Sequence, residues 1–494
     1  MKTRAVLPLA LLLCALFAFA TAQVNAVYEV FTGSFADSDG DGTGDLRGIG
    51  EKLDYIQALG VDGLWLTPVC PSPSYHKYDC ADYTDIDPAF GTLADYEALA
   101  DACKARGITL LFDLVVNHTS AEHPWFLSAV QSLQAGNLSD PYIDYYQFTQ
   151  GGGGHPVEGT DWFYAGDFGP HMPELNLDNP AVREEILSVA AFWLTHGAGG
   201  FRLDAVTHYY DAQPEKNRAF LAWLCTGIKE LNPDALIVGE AWTEELPILD
   251  LYQSGVDALF NFPLASMGAL VKAMQNEAGQ AFAARIALWQ HRVTEINPLA
   301  FAAPFLGNHD QGRIAGVLRN DVQLMKQAAA LYLLSPGIPF LYYGEELGMT
   351  GSGDDPNKRL PMLWSAENPA GVCAPPPGAT QAQRLQAGAD AQENDPLSLL
   401  RFYRSVLQFR SLYPVFTRGS AAVVETGDAR LAAFTLADGD TTVCVAHNFS
   451  HDEALYMPCN GTLLQTFDTG ALQSVPAECG VLLAPRSSAV WRMP

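Results

Sequence analysis

Short apolar runs recur along this 494-residue chain, and helical patterns, such as residues 93–106 and 180–195, separate most of them. Strand-length runs that alternate with helices are typical of parallel βαβ units. Eight such runs predict an α/β fold with a closed (β/α)8 TIM barrel. A doubly wound open sheet is the alternative, although it rarely needs eight evenly recurring parallel strands. The runs are residues 27–33, 61–68, 108–115, 200–204, 236–240, 257–260, 302–307 and 338–343.

Two segments depart from this alternation. Residues 119–172 become aromatic and glycine-rich, and we interpret them as an excursion domain after the third strand. Residues 413–494 carry short Val, Thr, Ala and Leu runs between turns, which predicts a C-terminal all-β sandwich domain. The barrel would then consist of residues 23–118 and 173–412.

Residues 1–22 have the pattern of a secretory signal peptide. Lys2 and Arg4 precede an apolar run, and an A-x-A cleavage site follows at residues 20–22. The run is too short for a stable membrane span, and a buried N-terminal helix is the structural alternative. We therefore expect a secreted protein, extracellular or periplasmic, without a membrane anchor.

The chain is strongly acidic, with 28 basic residues against 56 acidic ones and a net charge of −28. Removal of the signal peptide takes away two basic residues and no acidic residue. Such a chain repels phosphate backbones, which argues against a nucleic acid partner, whereas a neutral sugar is not repelled.

Export permits disulfides, and eight of the nine cysteines follow the signal peptide. Eight cysteines allow 105 full pairings, so the connectivity stays open. We favour two local pairs, Cys70 with Cys80 and Cys459 with Cys479.

Charged residues cluster where four of the predicted strands end. These ends read DLVVNH (113–118), GFRLDAVTH (200–208), VGEAW (238–242) and FLGNHD (305–310). Reactive groups of a (β/α)8 barrel lie at the C-terminal ends of its strands. A single Asp there is more often a cap or an ion-pair partner. Several carboxylates with Arg202 and two histidines are costly to bury without function or pairing, so these strand ends predict an active site.

A glycine-rich acidic loop, DSDGDGTGDLRGIG, covers residues 37–50. It is not an EF-hand, because the twelfth position, where an EF-hand has a bidentate Glu, is Gly48. Calcium stays compatible with the loop, since hard cations take several oxygens and glycines let the backbone wrap around them. A solvated acidic turn is the alternative, and the spacing alone does not decide between them.

The sequence resembles the α-amylase family of glycoside hydrolases, glycoside hydrolase family 13, and its secreted bacterial α-amylases in particular. The four strand ends are similar to the four best-known regions of the family, in order. GVDGLWLTPV (60–69), MPELN (172–176) and GIPFLYYGEELGM (337–349) are similar to three further regions. The resemblance covers nearly the whole mature chain.

The resemblance implies a role for each matched residue. Asp204 would be the nucleophile, Glu240 the general acid/base and Asp310 the stabiliser of the transition state, which suits retaining hydrolysis. Arg202 lies two residues before Asp204, so we expect it to contact Asp204 and to lower its pKa. Glu240 should stay protonated in less cationic surroundings. The implied substrate-binding residues, with Tyr78 stacking on the sugar ring, are Tyr78, His118, Arg202 and His309.

Bacterial members of the family carry a closely similar acidic loop, where it binds calcium. The resemblance therefore implies Ca²⁺ as cofactor. A second family site uses an Asn at the position of Asn117 and the carbonyl at His208. Its other ligands come from the excursion after the third strand, so this site stays open. The implied ligands of the first site are Asp37, Asp39, Asp41, Asp45 and the carbonyl of Thr43.

The resemblance favours cleavage of internal α-1,4-glucosidic bonds of starch-like glucans. Ala205 follows the nucleophile where α-1,6-specific members often have Val, and Tyr75 stands where exo-acting members often have Asp. Thr207, where many α-amylases have Lys, and KRLPMLW at 358–364 keep oligo-1,6-glucosidase, neopullulanase-type and transglycosylating activities open. A catalytically silent glucan-binding protein is the alternative from another class. We expect a monomer that acts on α-glucan polysaccharides or oligosaccharides, without nucleic acid or membrane partners.

Overall fold

The computed structural model describes residues 24–265, 268–368, 370–383, 385 and 387–494. The predicted signal peptide lies outside the described residues. Within these ranges, no helix combines the length and the apolar character that crossing a membrane requires.

Eight parallel strands form a barrel, as the sequence predicts. They are β1 (Val27–Val30), β2 (Gly63–Leu66), β3 (Thr109–Leu114), β4 (Gly200–Leu203), β5 (Leu236–Gly239), β6 (Ala258–Phe260), β7 (Phe301–Ala303) and β8 (Phe340–Tyr342). Their order in the sheet is β7-β6-β5-β4-β3-β2-β1-β8, and a bridge between Phe305 and Phe340 joins the two end strands. The predicted fold class is confirmed, although β7 ends before the predicted 302–307 run does. Pro304 follows β7 and has no N–H to continue the ladder.

Helices follow most barrel strands and begin at recognisable signals. The Thr92 side chain accepts a hydrogen bond from the Asp95 N–H, and the Asp95 carboxylate accepts one from the Thr92 N–H, which makes a capping box. The α-helices are Thr32–Phe35, Leu46–Glu51, Leu53–Leu59, Leu93–Ala105, Pro124–Gln134, Pro180–Thr195, Pro214–Leu231, Glu245–Leu251, Ala269–Gln275, Gly279–Ile296, Ile314–Val317, Val322–Leu333, Asp355–Lys358, Ala389–Glu393, Leu399–Ser411 and Val415–Arg418. Short 3-10 turns cover Pro141–Tyr145, Tyr252–Ser254 and Glu345–Leu347.

The inside of the barrel has an apolar layer and a charged layer. Alternate residues of a strand point to the same side. The apolar layer includes Val27 and Leu111. Two residues further along their strands lie Glu29 and Asp113, and Arg202 of β4 is the direct neighbour of Asp113 in the sheet. These three charged side chains are at most 2% exposed, so the charged layer must be satisfied by pairing within the protein.

Two further groups of strands lie outside the barrel. Within residues 119–172, a small antiparallel sheet is formed by Phe148–Gln150, His155–Pro156 and Trp162–Tyr164. The C-terminal segment forms two antiparallel sheets with a shared apolar core that contains Leu431, Met457 and Trp491. Their strands are Ser420–Val423, Leu431–Asp438, Thr441–Asn448, Leu455–Pro458, Thr462–Phe467, Val475–Ala477, Gly480–Leu483 and Ser488–Arg492.

All eight cysteines of the described residues are free thiols in the structure, so neither predicted disulfide is present. Cys70 and Cys80 do lie together, because the Cys80 thiol adds to the effect of burial in raising the pKa of Cys70. The thiol of Cys459 instead contacts Cys444, which lowers the pKa of Cys459 to about 6. Cys459 and Cys479 are joined through their main chains, where the Cys459 N–H donates to the Cys479 carbonyl at 2.9 Å. The predicted partner of Cys459 is therefore wrong.

A buried acid outside the barrel mouth predicts a pH-dependent stability. Glu345 Oε1 accepts hydrogen bonds from Tyr332 and Tyr403, each at 2.9 Å. Burial raises the pKa of Glu345 from 4.5 to about 8. A group whose pKa is raised in the folded state contributes fully to the free energy of unfolding below its unfolded pKa, and this contribution is lost as pH rises through the folded pKa. The contribution of Glu345 should therefore decline between about pH 4.5 and pH 8.

Replacement Glu345→Gln should flatten that decline, because a neutral amide accepts the same hydrogen bonds at every pH. The measurement is the thermal midpoint from pH 5 to pH 8. Glu425→Gln removes the same charge from an exposed position and should leave the decline unchanged. If the thermal midpoints of the wild type and Glu345→Gln fall in parallel with rising pH, the decline does not come from Glu345.

Candidate active site

Arg202 joins two carboxyl groups at the C-terminal ends of neighbouring strands. Its guanidinium donates to Asp204 Oδ1 at 2.6 Å, to Glu240 Oε2 at 2.6 Å and to Asp113 Oδ1 at 2.8 Å. Asp204 directly follows β4 and Glu240 directly follows β5, and these strands pair in register. The barrel therefore sets the spacing of the two carboxyl groups. The contact of Arg202 with Asp204 is present as predicted, and the contact with Glu240 is additional.

The pKa of Glu240 is raised by burial and not by a scarcity of cations. Burial raises the pKa of Glu240 to about 7, with Asp204 adding to the shift and Arg202 opposing it. The predicted reason, less cationic surroundings, is wrong because Arg202 touches both carboxyl groups. A carboxyl group with a pKa near 7 can donate and accept a proton near neutral pH.

Asp310 lies between two cations. Its Oδ2 is 3.0 Å from His309 Nε2, and its Oδ1 accepts from Arg359 at 2.7 Å. Burial favours the neutral acid, but His309 and Arg359 outweigh it and hold the pKa of Asp310 well below its usual range. Burial lowers the pKa of His309, yet Asp310 and Glu29 together raise it to about 10. The pair is therefore a carboxylate beside an imidazolium at neutral pH.

The three carboxyl groups open into one cavity of about 560 Å³. Tyr78 and His118 also line it, and Phe168 brings part of the wall from residues 119–172. Arg202 and His309, predicted to bind substrate, are fully buried and lie behind the carboxyl groups outside this lining. Both side chains therefore act on the cavity through the groups that they touch.

Tyr78 is held at the cavity wall by three contacts. Its hydroxyl donates to Asp113 Oδ2 at 3.0 Å and lies 2.7 Å from His309 Nε2. Its ring stacks on that of His309, with centroids 5.3 Å apart and 9° between the planes. His118 Nε2 lies 3.2 Å from the Tyr78 carbonyl, and burial lowers the pKa of His118. The predicted pair Tyr78 and His118 thus reaches the cavity as one connected unit.

The residue after Asp204 has a strained backbone. Ala205 has φ +45°, a left-handed conformation that is costly for a residue with a side chain. Its N–H donates to Glu240 Oε2 at 3.2 Å. The strain therefore coincides with a contact that orients Glu240 beside Asp204.

Comparison with known proteins decides the family. A family model described as "Alpha amylase, catalytic domain" matches residues 29–419, which include the last two residues of β1, the other seven barrel strands and the three carboxyl groups. The chain belongs to the α-amylase family of glycoside hydrolases. The match in this family accounts for the strand-end motifs without a separate explanation for each.

Relatives in the α-amylase family have several names. "Alpha-amylase 3" of Dictyoglomus thermophilum is 35% identical over 482 residues, covering 95% of this chain and 93% of the relative. "Trehalose synthase/amylase TreS" of Mycobacterium tuberculosis is 32% identical, covering 85% and 80%. "Oligo-1,6-glucosidase" of Parageobacillus thermoglucosidasius is 29% identical, covering 87% and 90%. The solved structure "Eubacterium rectale Amy13B" is 36% identical with a TM-score of 0.92, covering 96% of each chain. The chain is therefore a glycoside hydrolase whose relatives span more than one reaction.

Three residues that sequence reasoning did not assign support the site. Glu29 orients His309, because its Oε1 lies 2.7 Å from His309 Nδ1. Asp113 accepts hydrogen bonds from both Arg202 and Tyr78. Both acids interrupt apolar strands, and that interruption is a signal that could have found them. Arg359 lies 49 residues beyond Asp310 in the chain, and only the KRLPMLW motif singled out its neighbourhood.

The acidic loop after β1 brings three predicted calcium ligands together. Ligand oxygens of Asp37, Asp39 and Asp45 all lie within 4.8 Å of one another. Asp41 does not belong to this group, and its Oδ1 accepts the Thr43 N–H at 2.6 Å instead. A small set of hard carboxylate oxygens fits Ca²⁺. Calcium binding at this loop stays a prediction, and the three carboxylates are compatible with it.

The backbone of the same loop already wraps around one carboxylate. Asp37 accepts N–H bonds from Gly40 at 2.7 Å and from Gly42 at 2.8 Å. These glycines have φ +86° and +95°, which residues with side chains rarely adopt. Asp45 is fixed separately as the N-cap of the helix Leu46–Glu51. The loop is therefore preorganised by its own hydrogen bonds.

A second cluster of ligand atoms lies beside the cavity. Asp167, His208 and Asp211 have ligand atoms within 4.8 Å of one another, and the contact with Asp167 raises the pKa of Asp211 to about 6. Asn117, the implied ligand of the second calcium site, is 2% exposed, and its Nδ2 has no hydrogen-bond partner within the described ranges of the chain. The second calcium site stays a prediction.

Proposed function

We propose that the protein is a secreted α-amylase that cleaves internal α-1,4 bonds of starch-like glucans with retention of configuration. The observation that carries the proposal is an open groove of about 630 Å³ beside the main cavity. The groove and the cavity share Trp242 and Asp310. A glucan laid through both spaces would pass the carboxyl groups and extend beyond them, as an endo-acting enzyme requires.

Trp242 offers a surface for a sugar at the junction of the two spaces. It is 51% exposed, and its ring stacks on Phe262 with centroids 5.0 Å apart and 15° between the planes. A fixed, exposed indole gives a flat apolar face against which a sugar ring can pack. This arrangement supports sugar binding beyond the reacting bond.

The carboxyl geometry supports the retaining mechanism. Asp204 would attack the anomeric carbon while Glu240 protonates the leaving oxygen, and Glu240 would then take a proton from the water that releases the product. A retaining pair lies roughly 5–5.5 Å apart, whereas an inverting pair needs about 6.5–9.5 Å. Asp204 and Glu240 accept from the same guanidinium, which favours the shorter spacing.

Product analysis tests the proposal. Starch should lose viscosity faster than reducing ends accumulate, and NMR of fresh digests should show the α anomer first. Glucose as the sole early product would contradict endo action, and a β anomer would contradict retention. Lack of reducing-sugar release from starch, pullulan and maltotetraose would instead support a silent glucan-binding protein, against which the three converging carboxyl groups argue.

One contact favours a second candidate, an oligo-1,6-glucosidase or a transglycosylating enzyme. Arg359 donates to the Tyr75 hydroxyl at 2.8 Å and to Asp310 at 2.7 Å. This bridge links two loops beside the cavity and would limit the length of chain beyond Asp310. Faster release of glucose from isomaltose than from maltotetraose, or trehalose formation from maltose, would favour this candidate.

We further propose that Ca²⁺ binds at the acidic loop and stabilises the fold. A ligand that binds only the folded state stabilises by about 2.7 kcal/mol at a hundredfold excess over its Kd. A chelator should therefore lower the thermal midpoint of the wild type, while Asp37→Asn should melt lower and respond little. Asp440→Asn, at an exposed turn, should respond like the wild type. An equal chelator response in Asp37→Asn would assign the effect to another site.

A further inference from the structure

A second cavity, of about 290 Å³, lies between the barrel and the C-terminal strands. The helix Ala269–Gln275 and residues 317–319 and 324 line it from the barrel side, and residues 451 and 486 line it from the C-terminal side. It shares no lining residue with the active-site cavity. Its surface combines apolar and basic side chains, among them Met274, Leu318, Leu324, Arg319, His451 and Arg486.

The two arginines of this cavity lack carboxylate partners. Within the described part of the chain, the Arg319 guanidinium takes part in no ion pair or hydrogen bond. Arg486 donates only to Gln323, at 3.2 Å, and its buried Nε has no partner among the residues that the structure describes. His451 is paired with Glu277 at 3.3 Å. In a chain of net charge −28, two uncompensated guanidinium groups at one apolar cavity favour an anionic ligand.

Backbone strain collects at the same place. Seven described residues other than glycine have left-handed φ values. Three of them lie in the loops that carry Tyr78 and Asp204. The other four line the second cavity or adjoin its lining residues, and they are Glu277 (φ +51°), Arg319 (φ +57°), Asn320 (φ +60°) and Arg486 (φ +58°). Costly conformations persist where the surrounding structure needs them, as at binding sites.

We propose that this cavity binds a small organic anion, a carboxylate on a short hydrocarbon body, that bridges the barrel and the C-terminal domain. A guanidinium matches the two oxygens of a carboxylate, and the apolar lining receives the hydrocarbon. An inorganic anion would leave the apolar part empty, and a neutral sugar would leave both arginines unpaired. The volume lies near the lower end of small-molecule sites, about 300–1,000 Å³.

Calorimetric titration of the full chain with sodium octanoate tests the proposal. One saturable site is expected at millimolar concentration, with a raised thermal midpoint. The double variant Arg319→Gln/Arg486→Gln should weaken binding at least about tenfold, because charge-assisted hydrogen bonds are lost. Arg492→Gln, at an exposed position of the last strand, should bind octanoate like the wild type. Circular dichroism checks that each variant is folded.

Two further probes separate the parts of the proposal. 1-Octanol should bind at least about tenfold more weakly than octanoate, since it lacks the charge, and sodium phosphate should not compete with octanoate. Equal octanoate affinity in the wild type and the double variant, or no saturable octanoate binding, would overturn the proposal. Equal binding of phosphate and octanoate would overturn the role of the apolar lining.

Discussion

Asp204→Asn lowers kcat on soluble starch by on the order of 10⁴–10⁶-fold, as the loss of a covalent nucleophile does elsewhere. An amide cannot form the glycosyl-enzyme ester, and the remaining carboxylate on Arg202, that of Asp113, does not line the cavity. The measurement is the steady-state kcat of a freshly expressed variant, so that contamination by wild-type enzyme is excluded. Asp54→Asn is the matched control, because Asp54 is also paired with an arginine, Arg106, but lies outside the cavity.

Azide separates a nucleophile from a merely structural carboxylate. In Asp204→Asn, azide can attack the anomeric carbon of α-glucosyl fluoride from the face that Asp204 attacks in the wild type, which gives a β-glucosyl azide. It should not restore the normal α product. Activity within tenfold of wild type, or an α-glucosyl azide from this variant, would assign the nucleophile to another residue.

Glu240→Gln lowers kcat on starch by about 10²–10⁴-fold, the range of a lost general acid. A substrate whose leaving group needs no proton, such as α-glucosyl fluoride, should still form the glycosyl-enzyme. Azide should then attack that intermediate and give an α-glucosyl azide. Glu230→Gln, at an exposed position outside the cavity and the groove, should keep kcat near the wild-type value. An equal loss of kcat on starch and on the fluoride would contradict the role of Glu240 as acid.

The pH profile gives a second readout for Glu240. Its pKa of about 7 means that the acid form is present below pH 7 and is lost as pH rises. The wild-type kcat/KM should therefore fall above about pH 7, and Glu240→Gln should lack this limb. A wild-type limb that persists unchanged in the variant would belong to another group.

The sequence by itself determined the barrel and most of the reacting groups. Strand and helix periodicity are local properties, and the C-terminal end of a parallel strand is the place where a barrel exposes its chemistry. The three reacting carboxyl groups follow β4, β5 and the β7 region; they are Asp204, Glu240 and Asp310. Locating the strands was therefore sufficient to predict that these groups lie at the same end of the barrel. Tyr78 and His118 were found because their motifs resembled those of a known family.

Only the tertiary structure decided how these groups are charged and held. Glu29 and His309, 280 residues apart, meet because β1 lies next to β8 and the chain from β7 closes the barrel over them. The contact of Arg202 with Glu240 depends on the register between β4 and β5, which residue spacing within one strand does not contain. Burial, which raises the pKa of Glu240, is a property of everything packed around it. Local patterns therefore predicted which residues reach the site, while long-range packing determined their partners, their protonation and the separation of Asp41 from the other acids of its loop.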